Sequence, residues 1–390
     1  MDLFQKCRDH TIVQEVIDAG LYPYFHALQS GQDTVVTMEG HRTIMIGSNN
    51  YLGLTSDPRV IEAAVEATKK YGSGCSGSRF LNGTLDLHIE LEKQLAEFLH
   101  KDACITFSTG FQSNLGIISA IAGRNDVIIC DKENHASIYD GCRLSFATMV
   151  RFKHGDMEDL EKVLSEVPDS KGKLIVTDGV FSMGGEICNL PKIVELAKKY
   201  GARVMVDDAH GLGVLGKNGR GTAEHFGLED EVDIIMGTFS KSLASLGGYM
   251  AAKAEVISYV KHTSRPFIFS ASIPPANAAS ALCALNILKA EPERVTSLNA
   301  IADYMRELMK KNNIPLRESQ SPIIPVMTYD DNRTFMICKE LLNEGVYVNP
   351  VISPAVPQGQ SMIRTSYTAT HTKEHMDEAI EKFVKVFSKF

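Results

Sequence analysis

The chain has 390 residues, 44% of them hydrophobic and 23% charged, with a formal net charge of -8. It is long enough to bury a sizeable core and to form about two domains, and its acidic balance offers no broad attraction to nucleic acid. Its eight cysteines show no C-x-x-C spacing, which argues against a zinc or redox pair and for buried, reduced thiols. No apolar run reaches the roughly 18 to 20 residues that span a bilayer, and the N-terminus MDLFQKCRDH lacks the basic and apolar segments of a secretion signal. A cytoplasmic location is therefore expected, and peripheral membrane contact is compatible with the sequence.

Residues 1–45 read as an N-terminal arm, a helix followed by a short hairpin around Glu39-Gly40-His41. From about residue 100, short apolar runs alternate with segments of helical period, the pattern of successive β-α units. Strands are expected at Ala103–Phe107, Val127–Cys130, Lys173–Asp178, Arg203–Asp207, Asp233–Gly237 and Gly248–Ala252. Helices are expected at Gln112–Ile121, Met157–Val167 and Leu190–Tyr200, which makes the connections crossovers and the sheet mainly parallel. This predicts an α/β large domain over 46–285, its central sheet flanked by helices, and a smaller α+β C-terminal domain over 286–390, with Glu291-Pro292 near the boundary. The smaller domain draws on the apolar runs at 322–329, 346–352 and 361–367 and on a terminal amphipathic helix.

Polar motifs stand where these strands end, and ligands of such sheets bind beyond the carboxyl ends of strands. FSTGFQSNLGIISAI (107–121) runs through Gly110 and Phe111 into a helix, whose free N–H groups suit a phosphate, although Ser-Thr-Gly is as often only a cap. DKENHASIYDG (131–141) places His135 after a strand, and DGVFSMGGE places Ser182 likewise. VMVDDAHGLGVLG (204–216) ends a strand with Asp207 and His210 close together, and TFSKSLASLGG (238–248) carries Lys241 among hydroxyl residues. A lone lysine is normally a solvated surface charge, and a lone acid at a strand end commonly caps the next helix. Convergence at the ends of successive strands raises each above that background.

Pyridoxal phosphate (PLP) gives a chemical reason for the set. The cofactor is an electron sink, a carboxylate at its pyridine nitrogen deepens that sink, and a lysine anchors it as a Schiff base. Asp207 suits the ring nitrogen, His210 the ring hydroxyl oxygen, His135 stacking on the ring, and Lys241 the Schiff base and proton transfer at Cα. No metal site is expected.

From SNNYLGL (48–54) to its end the chain resembles the α-oxoamine synthases, PLP enzymes of fold type I that condense an amino acid with an acyl-CoA. The resemblance implies phosphate contacts from Gly110, Phe111, Thr238 and Ser240, ring-hydroxyl contacts from Ser182 and His210, and catalysis by Lys241, Asp207 and His135. It also implies a substrate-carboxylate site of Arg364, Asn50 and His135, and a phosphate contact made across a homodimer by Ser270 and Ala271. The stretches 72–92 and 349–372 look most like bacterial members that join L-serine to palmitoyl-CoA, giving 3-oxosphinganine, CoA and CO2. SRPFIFS is also similar to glycine C-acetyltransferase, which stands as the first alternative, with 8-amino-7-oxononanoate synthase behind it. A catalytically silent partner subunit of the same fold would be expected to lack the lysine.

Overall fold

The structure is a computed structural model that describes residues 2–390. An N-terminal hairpin pairs β1 (Val35–Met38) with β2 (His41–Met45). Its two-residue turn has Glu39 and Gly40 at φ of 49° and 81°, the left-handed pair that matches the twist of a tight hairpin.

Seven strands form the central sheet: β3 (Ala103–Phe107), β4 (Asp126–Asp131), β5 (Thr148–Phe152), β6 (Gly172–Asp178), β7 (Arg203–Asp207), β8 (Ile234–Thr238) and β9 (Gly248–Ala252). Their order is β3-β9-β8-β7-β6-β4-β5, and only β9 runs antiparallel to its neighbours. The parallel α/β architecture is therefore as the sequence predicts. Two apolar clusters, one containing Ile129, Ile175 and Val206 and the other Ile128, Val176 and Met205, receive alternate residues of the same strands. Burial of alternate residues in two cores explains why β4, β6 and β7 read as unbroken apolar runs. β5 was not foreseen; it lies at the sheet edge with only Phe152 buried, so its sequence carries no apolar run.

Beyond the sheet, β10 (Ile323–Tyr329), β12 (Asn349–Val351) and β13 (Ser361–Ser366) form a three-stranded antiparallel sheet. The apolar run 346–352 holds two strands. Its first residues form β11 (Val346–Tyr347), which pairs in parallel with β2, while its later ones join β13. Residues 1–45 are thereby stitched to the C-terminal part of the chain. Glu291-Pro292 falls between two long helices, Pro275–Ala290 and Glu293–Lys311.

Five cysteines are buried, but Cys7 is exposed and Cys75 and Cys283 are partly so, which corrects the expectation of uniformly buried thiols. Cys7 sits on the short helix Gln5–Arg8, which buries none of its residues. Among the described residues no helix is long and apolar enough to cross a membrane.

Candidate active site

The parallel register sets the site. Asp178 of β6 lies opposite Asp207 of β7, and Asp207 lies opposite Met236 of β8, so the ends of β6 and β7 share a level and β8 runs two residues beyond it. A cavity of about 230 Å³ opens there. Nine of the predicted residues line it: Gly110, Phe111, His135, Ser182, Asp207, His210, Thr238, Ser240 and Lys241.

Two helices aim their N-termini at this cavity. Thr109 caps Gly110–Ile121 by accepting from the Gln112 N–H, while the N–H groups of Gly110 and Phe111 have no backbone partner among the described residues. Those donors and the helix dipole suit an anion. A Cβ on Gly110 would come within 2.8 Å of Thr238 Oγ1, so a glycine is needed where helix and strand close on each other. Thr238 Oγ1 also lies 2.9 Å from Ser240 Oγ, adding hydroxyls at the same point.

His135 caps the second helix, Ala136–Leu144. A hydrogen-bond chain ties its ring to the buried carboxylate. Asn114 Nδ2 donates to Asp207 Oδ2 (2.7 Å) and to Ser137 Oγ (2.8 Å), and Ser137 Oγ lies 2.7 Å from His135 Nδ1. Because the amide can only donate to the serine oxygen, the hydroxyl proton is left for Nδ1. The imidazole's own proton is then on Nε2, an assignment made from the network. Burial lowers the His135 pKa against the attraction of Asp207.

Lys241 follows β8, and its ammonium is enclosed by protein although part of the side chain borders the open cavity. That desolvation moves its pKa from 10.5 down to about 8, opposed by Asp207 and assisted by Arg364. Burial likewise holds His210 well below its ordinary value, helped by Lys241 and Arg364. Asp178 is pushed well above the carboxylate range, first by burial and then by Asp207. Its Oδ1, like Asn114 Oδ1, is buried without a partner among the described residues. Unpaired buried oxygens at a cavity wall are costly unless a ligand meets them.

Arg364 comes from β13, outside the cavity lining. Its guanidinium is buried, and its hydrogen-bond partners are neutral: Ser182 O (2.5 Å), Asn49 Oδ1 (2.9 Å), Tyr51 Oη (3.3 Å) and Ser366 Oγ (3.3 Å). A buried cation without a carboxylate is a ready partner for an anionic ligand. Asn50 is placed differently from Asn49. Its Oδ1 accepts from the N–H of Leu54 (3.1 Å), tying the turn that presents Asn49 and Tyr51. Ser270 and Ala271 also lie outside the lining, Ala271 being exposed with its carbonyl accepting from Ser108 Oγ.

Sequence reasoning missed Asn114, Ser137, Asp178, Tyr51 and Asn49. Asp178 had the plainest signal, since it ends its predicted strand as Asp207 ends the next. Asn49 and Tyr51 flank the singled-out Asn50 in SNNYLGL.

The chain matches the family described as aminotransferase class I and II over residues 42–383. It is 54% identical to a serine palmitoyltransferase of Sphingobacterium spiritivorum over 99% of this chain and 96% of that one. Against an 8-amino-7-oxononanoate synthase of Thermosipho melanesiensis it is 47% identical over 97% and 96% of the two chains. A solved structure described as serine palmitoyltransferase with the PLP internal aldimine superposes with a TM-score of 0.97 at 38% identity, covering 100% of this chain and 99% of that one. The chain belongs to the class I and II aminotransferase family of PLP enzymes and, within it, to the α-oxoamine synthases.

Proposed function

We propose that this chain condenses L-serine with palmitoyl-CoA, with loss of CO2 and release of CoA, to give 3-oxosphinganine. The observation that carries the reading is the meeting of Lys241, Asp207, His135 and His210 at one cavity, in a chain 54% identical to a serine palmitoyltransferase. The cofactor is PLP, and the residues fit it: a partly neutral lysine, a buried carboxylate and an anion-binding helix end border one cavity. When bound, PLP supplies a sink for the negative charge that develops at the amino acid's Cα.

The protein's own groups do the remaining work. Gly110 and Phe111 N–H with the hydroxyls of Thr238 and Ser240 would hold the phosphate, and the Asp207 carboxylate would serve the pyridine nitrogen. His135 would stack on the ring, and Ser182 and His210 would hold its hydroxyl oxygen. Arg364 takes the substrate carboxylate as a donor fork, with His135 orienting it. The Asn50 role is to fix the turn carrying Asn49, which in turn steadies Arg364. Lys241 accepts the proton from Cα; a pKa of about 8 leaves roughly a tenth of the free amine unprotonated at pH 7. Attack on the thioester carbonyl then expels CoA, and cleavage of the bond from Cα to the carboxylate releases CO2.

Ser270 and Ala271 stand outside their own cavity, beside Phe269, which is 79% exposed. That placement supports a homodimer in which each protomer lends these two residues to the other's phosphate site. The dimer and a cytoplasmic location are part of the proposal.

Relatives at 47% identity favour one other reading, an 8-amino-7-oxononanoate synthase. A single assay separates the two. PLP-loaded protein is offered serine, glycine or alanine, each with short- or long-chain acyl-CoA, and products are identified by mass spectrometry. 3-Oxosphinganine as the main product is expected; product from alanine or glycine in its place would replace this reading.

A further inference from the structure

Tyr51 belongs to no group assigned above, yet it joins the two walls of the site. It is fully buried. Its hydroxyl lies 2.7 Å from His210 Nδ1 and 3.3 Å from Arg364 Nη2, so one oxygen touches a ring from the loop after β7 and a guanidinium from β13. We propose that Tyr51 is a positioning residue that fixes the proton of His210 on Nε2 and couples that ring to the substrate-gripping Arg364.

The assignment follows from counting protons. A guanidinium only donates, so Arg364 gives its hydrogen to the Tyr51 oxygen and leaves the phenol one proton to place. Two acceptors are in reach. Asn49 Oδ1 is 3.3 Å away and already accepts from Arg364 at 2.9 Å, while His210 Nδ1 is nearer at 2.7 Å. The shorter contact takes the proton, and an accepting Nδ1 in a neutral ring requires hydrogen on Nε2. Burial raises the Tyr51 pKa, so the phenol keeps that proton. The remaining nitrogen of His210 is thus a donor, with the cavity as the space it borders. The same oxygen steadies Arg364: without it, one Nη2 hydrogen loses an acceptor in a place closed to water.

This inference rests on the functional reading for the role of Arg364, but the tautomer does not. The test therefore has two arms. In the first, protein without cofactor is labelled with 15N-histidine, and the His210 signals are identified by their loss in His210→Gln. Wild-type protein is expected to show an unprotonated Nδ1 and a protonated Nε2, with the Nδ1 signal displaced in Tyr51→Phe. A protonated Nδ1 in the wild type would overturn the proposal, whatever the enzyme makes.

In the second arm, PLP-loaded wild type and Tyr51→Phe are titrated with L-serine and with L-serine methyl ester, followed by cofactor absorbance. The variant is expected to bind L-serine about tenfold more weakly and the ester, which lacks the carboxylate, within twofold of wild type. Equal weakening of both would mean general damage to the site and remove Tyr51 from the positioning role. Should serine fail to bind even the wild type while the first arm succeeds, the functional reading falls and the tautomer assignment stands.

Discussion

The two adjacent carboxylates at the end of β7 occupy opposite worlds. Asp207 lines the cavity, bonded to Asn114 and to the N–H of Ala209. Asp208 turns away from it and is 1% exposed, accepting from the backbone N–H and the hydroxyl of Thr222 at 2.8 and 2.6 Å. Those bonds staple the glycine-rich loop 211–221 against the sheet. A Cβ on Gly221 would come within 1.9 Å of the Asp208 carboxylate, and one on Gly211 within 1.7 Å. Burial raises the Asp208 pKa to about 7. Asp207, the last residue of β7, and Asp208, just after it, therefore meet different surroundings, one the cavity and the other the loop, because successive side chains along an extended chain face opposite ways.

Substitutions can break or sharpen this contrast. On the chemical side the largest effect is expected from Lys241→Ala, which removes the proposed cofactor anchor and base; turnover should fall by at least about 10⁴-fold with the fold intact by circular dichroism. Asp207→Asn should come next, slowing Cα proton release, read as exchange of the serine Cα hydrogen into deuterium oxide, by about 10²- to 10³-fold. Arg364→Ala should raise the KM for L-serine by about 30-fold, or ~2 kcal/mol, with a smaller change in kcat.

Asp208→Asn should have the smallest effect on catalysis, with kcat within about twofold, and should show its effect in stability. The sign follows from the raised pKa. The folded state favours protonated Asp208 more than the unfolded state does, so its stabilising contribution is full below about 4 and is lost as pH rises through about 7. Denaturant titrations should show the wild type losing stability relative to the asparagine variant, which cannot titrate there, as pH rises from about 4 to about 7. Lys241 supplies the opposite slope. Its pKa lies below the unfolded value, so its contribution to stability without cofactor should rise from about pH 8 to about 10.5.

The same contrast marks what the sequence makes legible. Asp207, His210, Lys241 and His135 stand just after apolar runs, and a parallel sheet brings strand ends together, so their convergence could be argued without coordinates. Asp178 carries the same signal, ending its predicted strand as Asp207 ends the next, and the register pairs the two. Arg364, Asn49 and Tyr51 come from segments about 300 residues apart, and only the docking of β13 beside residues 46–51 brings them together. No local period encodes that approach; here the family resemblance supplied Arg364. The resemblance also singled out Asn50, whereas the turn at 49–54 directs Asn50 to the Leu54 N–H and Asn49 to Arg364. The split of residues 346–352 was illegible for a related reason, since its two partners, β2 and β13, are set by tertiary docking, while β5 is an edge strand with only Phe152 buried and so shows no apolar run.

The most direct test of the central claim is to find which lysine carries the cofactor. Protein incubated with PLP is reduced with borohydride, digested, and mapped by mass spectrometry. The site geometry predicts a phosphopyridoxyl group on Lys241 and none in Lys241→Ala. A label on any other lysine, with Lys241 unmodified, would contradict the account.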